Sequence, residues 1–241
     1  VYPQVEANGV SLTGSAKLYL TAGPRTAALT YDTGTGFLNV SNNFTIADTA
    51  QLYLRSDSYS GGSMVTTVGG TLTVAAGAAV DADDLGFWLD VSKNPQSLEP
   101  LPQGTGFGSG AGHGSKASGT IYDYLYAPRM PGACGTSPYE GKATNTQPGG
   151  GCVIIHANSV DLAGSISASN VKHGGKYWGG AGGTIWLTVA NNLRIAPGAM
   201  LRAKGGHCLY SSGKDGAGGG RISVCRGLTD DEFAAILADG D

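Results

Sequence analysis

Two neighbouring carboxylates, Asp83 and Asp84, are the side chains whose type and spacing could do acid–base work. Glycoside hydrolysis needs such a pair, one carboxyl as acid and the other as base or nucleophile. His113, in Gly112-His113-Gly114, would add a third titratable group. With Asp81, the same "DADD" run also offers the hard carboxylate oxygens that calcium takes, as the alternative to the expectation of no cofactor and no metal. The plainer alternative is a solvated turn after a strand around Val80. The four histidines, His113, His156, His173 and His207, have no metal-ligand spacing, and His156 alternates with Ile155 as a strand-face residue. No Ser-His-Asp or Cys-His arrangement follows from spacing.

Aromatic residues offer binding rather than catalysis. Tyr122, Tyr124 and Tyr126 alternate and would share one face, while Tyr177, Trp178 and Tyr210 sit in glycine-rich loops. Exposed rings stack on sugars or anchor a protein partner; the alternative is packing against the flank of the fold. The glycine run "GHGSKASG" lacks the spacing of a phosphate-binding P-loop and the strand-to-helix context it needs.

Cys134, Cys152, Cys208 and Cys225 contain no CxxC pair, which argues against a zinc knuckle. Three disulfide connectivities are open to four cysteines, and Cys134–Cys152 with Cys208–Cys225 would close two glycine-rich loops of similar length. Disulfides imply an extracellular compartment, and buried thiols in a cytosolic protein are the alternative. The sequons Asn39-Val-Ser and Asn43-Phe-Thr, candidate glycosylation sites, fit secretion. Starting at Val1 without Met, the sequence reads as a processed mature protein or an excised domain.

These residues must be positioned by a chain of unusual composition. Glycine supplies 41 of 241 residues, against an average near about 7%. No collagen period is present and 41% of residues are hydrophobic, so disorder is disfavoured. With net charge −3 and no Lys/Arg cluster, nucleic acid is not an expected partner. No apolar run is long enough for a transmembrane segment.

A repeat organises the chain. "NGVSLTGSAKLYL" from Asn8, "NNFTIADTAQLYL" from Asn42, "GGTLTVAAGAAVDA" from Gly69, "ANSVDLAGSISA" from Ala157 and "NNLRIAPGAMLRA" from Asn191 share one template. Each has a turn pair, apolar-x-apolar, a corner of small residues, then a further apolar residue. The second apolar anchors, Leu12, Ile46, Val74, Leu162 and Ile195, are spaced by 34, 28, 88 and 33 residues, and 88 is close to three steps of 29. Alternating strands of three to five residues in units that cannot bury their own apolar faces predict stacking. The expected fold is all-β, a parallel β-helix or β-solenoid in one domain over 1–241; the alternative is an antiparallel sandwich or jelly roll. Residues 95–151, with half of the ten prolines in 95–131 alone, read as an irregular Gly/Pro-rich insertion. Thr229-x-x-Glu232 is a capping box that predicts a helix over 228–239, suited to cover the end of the stack.

Two resemblances accompany this reading. "GSGAGHGSKASG", "PGGGCVIIHANSVDLAGSISASN", "GGAGGTIWLTVANNLRIAPGAMLRAKGG" and "GAGGGRISV", within 104–226, follow in the order of a glycine-rich repeat region in large extracellular and cell-surface proteins. That resemblance implies a β-helical surface, adhesive or structural component. Asp83-Asp84, Gly112-His113-Gly114 and Arg221-Ile222 also resemble, in order, motifs of the β-helical pectin hydrolases. That family's Asn-Thr-Asp is missing here, the last spacing is too long, and the chain is short for the family. The expected function is a secreted structural or adhesive protein, with self-association, other surface proteins or glycans as partners. Self-assembly into a filament or surface array is its extension. The rival is a carbohydrate-acting hydrolase, lyase or sugar-binding module.

Overall fold

Strict alternation of apolar and polar residues makes short strands, and small residues between them make the corners. The structure, a computed structural model, describes residues 3–25, 34–88, 123, 125–135, 147–171, 179–207 and 216–227. The strands are β1 (Gln4–Ala7), β2 (Val10–Leu12), β3 (Lys17–Thr21), β4 (Gly36–Val40), β5 (Phe44–Ile46), β6 (Gln51–Arg55) and β7 (Met64–Val74). They continue as β8 (Ala79–Asp81), β9 (Cys152–Leu162), β10 (Ser165–Ser167), β11 (Thr184–Val189), β12 (Leu193–Ile195), β13 (Met200–Arg202) and β14 (Arg221–Arg226).

They form two sheets. One has nine strands, running β1-β4-β7-β9-β11-β14, with β2, β5 and β12 extending the ladders of the second halves of β7 and β9. The other has five, in the order β13-β10-β8-β6-β3. Every ladder between these strands is parallel. The chain crosses between sheets at tight turns closed by Ala16 N–H to Thr13 O, Ala50 N–H to Ala47 O, Ala78 N–H to Ala75 O and Ala199 N–H to Ala196 O. In the last, Pro197 precedes Gly198 at φ +89°, the residue order of a type II turn.

The β-helix or β-solenoid closed by a C-terminal helix is therefore corrected. The corner turns interrupt the ladders, so the strands alternate between two separate parallel sheets of nine and five strands, and no helix occurs among the described residues. The sandwich or jelly-roll alternative needs antiparallel pairing, which none of these ladders has. The proposed helix over 228–239 lies outside the described residues.

The aligned anchors do share one column: Leu12 pairs with Ile46, Ile46 with Val74, Val74 with Leu162, and Leu162 with Ile195. The 88-residue interval is thus one step, not three. β7 pairs directly with β9.

Between the sheets lies one core, including Leu38, Phe44, Ile46, Leu52, Leu72, Ile155, Leu162, Ile166, Ile185 and Leu187, all fully buried. Removing that apolar surface from water, at about 25 cal/mol per Å², is the main stabilising term. A smaller cluster, Ala127, Cys152, Ile154 and Trp186, covers part of the opposite face of the nine-stranded sheet. The segment 125–135 lies there as a strap.

Candidate functional site

A groove of about 450 Å³ opens where β3 and β6 end, with Thr21 and Arg55 at those strand ends. Three chain segments build it. Residues 55–59 run beside 84–88, joined by Ser56 N–H to Leu85 O (3.1 Å) and Trp88 N–H to Ser58 O (3.0 Å). Pro148 and Gln147 supply the third wall, held by Gly86 N–H to Gly149 O (2.9 Å) and Gly149 N–H to Phe87 O (3.1 Å).

Each wall has a local cause. Asp57 Oδ1 accepts from the N–H groups of Tyr59 and Ser60 and from Ser60 Oγ, which folds 57–60 into a turn. Gly61 follows at φ +75°, and a side chain there would press on the Phe87 ring. Phe87 therefore turns inward and is buried, while Trp88 turns outward and is 51% exposed. Arg55 ends β6 with its side chain exposed. The groove thus presents an indole, the Tyr59 phenol, one guanidinium, two carboxylates and several hydroxyls. That set can bind a polar ligand carrying an apolar face.

The acidic run predicted from sequence borders this groove, but its carboxylates hold structure. Asp83 Oδ1 accepts from Ser167 Oγ and Ser169 N–H, each at 2.5 Å. Asp84 Oδ1 accepts from Asn170 Nδ2 (2.8 Å) and Val171 N–H (3.0 Å), and its backbone is left-handed at φ +56°. Asp81 Oδ1 accepts from Asp83 N–H, and burial raises its pKa above the usual carboxylate value. All three aspartates tie this turn to itself or to the β10 end. Among the described residues, no group of three or more His, Cys, Asp or Glu side chains is gathered to hold a metal. His113 lies outside the described residues, as do Tyr122, Tyr124, Tyr177, Trp178 and Cys208.

The strap gathers other titratable groups. The Asp123 carboxylate accepts from the N–H groups of Arg129 and Met130 at 2.9 to 3.0 Å. Ser63 Oγ donates to Arg129 O (3.1 Å), Thr184 Oγ1 to Met130 O (2.7 Å) and Ser223 Oγ to Tyr126 O (2.6 Å), so β11, β14 and the residue just before β7 grip the strap. The buried Arg129 guanidinium lies 5.4 Å from the Trp186 ring centre, and His156 meets that ring edge-on at 5.1 Å. Burial, and then the Arg129 charge, lower the His156 pKa to about 4. These hydrogen bonds and ring contacts anchor the strap. Tyr126, at its edge, is 70% exposed.

Cys152 is a thiol whose Sγ lies 3.3 Å from Arg129 O, and burial pushes its pKa up. Cys134, also buried, is not bonded to it, so the Cys134–Cys152 bridge is not formed in this structure. Cys225 is likewise a thiol, 3.6 Å from Ser223 Oγ. Of the sequon residues, Asn39 Nδ2 donates to Glu6 Oε1, while Asn43 is exposed and uses only its Oδ1, accepting from Thr71 N–H.

Comparison of the chain with protein-family models, with curated proteins and with solved structures returned no match. Sequence reasoning placed Asp84 near a site but missed Arg55, Tyr59 and Trp88. The available signal was the polar "RSDSYSGGS" between two strands and the aromatic pair that follows "DADDLG".

Proposed function

We propose that this chain is a secreted structural or adhesive protein that works by presenting surfaces, and that it associates with further copies of itself through the open edges of its sheets. One observation carries the reading. Val5, Leu38, Thr66, Ile155, Leu187 and Val224 form a single column across the nine-stranded sheet. The interior members are at most 1% exposed, whereas Val5 is 43% and Val224 38% exposed at the two ends.

The edge strands β1 and β14 leave their outer N–H and C=O groups without a ladder partner among the described residues. Such edges are templates for another strand. Because all strands run parallel, β14 of one copy can accept β1 of the next in the same direction, setting Val224 against Val5. The two edges differ, so the contact is heterologous and repeats as an open chain. β14 carries Arg221 and Arg226, and β1 carries Glu6, so the opposed edges also differ in charge. The low charge, the two sequons and the resemblance to glycine-rich surface repeats support an extracellular setting. No helix among the described residues is long and apolar enough to cross a membrane.

Sedimentation velocity and negative-stain imaging test this. Oligomers that lengthen with concentration are expected, with Val5→Lys and Val224→Lys each blocking one end. A mixture of the two variants should stop at dimers, because only one productive pair of edges remains. A monomer at every concentration up to the solubility limit would sink the reading. Asp83 and Asp84 each have one carboxylate oxygen engaged in hydrogen bonds at the β10 end; the sugar-binding reading has a specific observation in its favour, the groove beside Trp88.

A further inference from the structure

We propose that the groove between Arg55 and Trp88 is a binding site for a neutral oligosaccharide, with the Trp88 indole as its stacking platform. The site lies on the flank of the fold and does not depend on association through the sheet edges.

Three features of the groove specify this ligand. The first is an exposed ring on an anchored backbone. Trp88 is 51% exposed, yet its backbone donates to Ser58 O, and its neighbour Phe87 is buried against Gly61. A large ring held open on an anchored backbone offers an apolar face at little further entropic cost, which is what the C–H face of a sugar needs. Tyr59, in the facing turn, adds a second aromatic surface.

The second feature is unused polar capacity. Arg55, exposed at the end of β6, makes no ion pair or side-chain hydrogen bond among the described residues. Its guanidinium N–H groups are donors of the right kind for sugar hydroxyl oxygens. Asp57 spends one carboxylate oxygen on its own turn, and no hydrogen bond to the other is formed among the described residues.

The third feature is charge. Asp57 and Arg55 line the groove with opposite signs, so it carries no concentration of positive charge. Uronic-acid or sulfated chains need such a concentration, which leaves neutral polyols as the matching class. A volume of about 450 Å³ is within the ordinary range for a small-molecule site.

Affinity electrophoresis through gels containing soluble mixed-linkage β-glucan, galactomannan or glycogen, with polygalacturonate as the acidic comparison, tests the site. At least one neutral polysaccharide should retard the chain. Trp88→Ala should weaken that retardation at least tenfold while leaving the thermal melt unchanged, and Tyr126→Ala, on the exposed ring at the strap, should leave it intact. Tyr59→Ala should weaken it less than Trp88→Ala. No retardation in any neutral gel, retardation by polygalacturonate alone, or retardation that survives Trp88→Ala would overturn the proposal. Running the same gels with the Val5→Lys variant separates sugar binding from self-association.

Discussion

Two residues show how local chemistry and position combine. Thr66 stands in the core column between Leu38 and Ile155, is completely buried, and its Oγ1 has no hydrogen-bond partner among the described residues. A hydroxyl left unpaired in an apolar core costs on the order of 1–3 kcal/mol. Thr66→Val keeps the shape and removes that cost, so the urea midpoint should rise by the equivalent of about 1–2 kcal/mol with an unchanged m-value. His156 works in the opposite sense. Above about pH 6.5 its imidazole is neutral in the folded and unfolded chain alike, and adds no pH dependence. Between there and its folded pKa of about 4, the unfolded chain takes up a proton that the fold refuses. Stability should therefore fall with decreasing pH across that window, by up to roughly 3 kcal/mol. Denaturation curves from pH 7 to pH 4.5 should show the decline, and His156→Gln should flatten it. The alternation of Ile155 with His156 did mark a strand face, and the structure agrees. Its low pKa was not legible, because the group responsible for its burial is a strap more than twenty residues earlier.

At the scale of elements, the glycine runs act as a packing surface. Residues 149–151, 179–183 and 218–220 lie against one another just before β9, β11 and β14, with backbone bonds such as Gly150 N–H to Ala181 O (2.9 Å) and Arg221 N–H to Gly183 O (2.9 Å). A Cβ at Gly183 would collide with the Gly151 carbonyl oxygen, and backbone cannot yield as a flexible side chain can. Gly183→Ala should consequently destabilise the chain by about 1–3 kcal/mol or more, measurable as a lowered urea midpoint, whereas Gly198→Ala meets no neighbouring atom and suffers only the strain of its positive φ. That glycine was needed for close backbone approach could be argued from "GGAGGTIWL" alone, since no phosphate-loop spacing surrounds it. Which run touches which could not, because that depends on the register between layers.

For the whole molecule, the parallel direction of the described strands sets how the edges can join: β14 of one copy and β1 of the next run the same way and would continue the sheet's own pairing. The self-association expected from Val5 and Val224 follows from this. β14 stands one layer beyond β12 and β13, while β1, β2 and β3 share one layer, so the end-to-end contact is confined to the nine-stranded sheet. The amino-acid sequence by itself determined the strands, their inward residues and the column of anchors from Leu12 to Ile195, because alternation and small-residue corners are local signals repeated in each unit. It did not determine that the corners would separate the strands into two sheets, or that the 88-residue step was a single excursion. Nor did it reveal that Asp83 and Asp84 would be consumed by Ser167, Ser169, Asn170 and Val171. The last two rest on pairings between residues more than eighty positions apart, such as Val74 with Leu162 and Asp83 with Ser167, and only the tertiary structure decides where the chain returns. The groove at Trp88 is of the same kind: its three walls come from 55–59, 84–88 and 147–148, and they meet only once the layers are stacked.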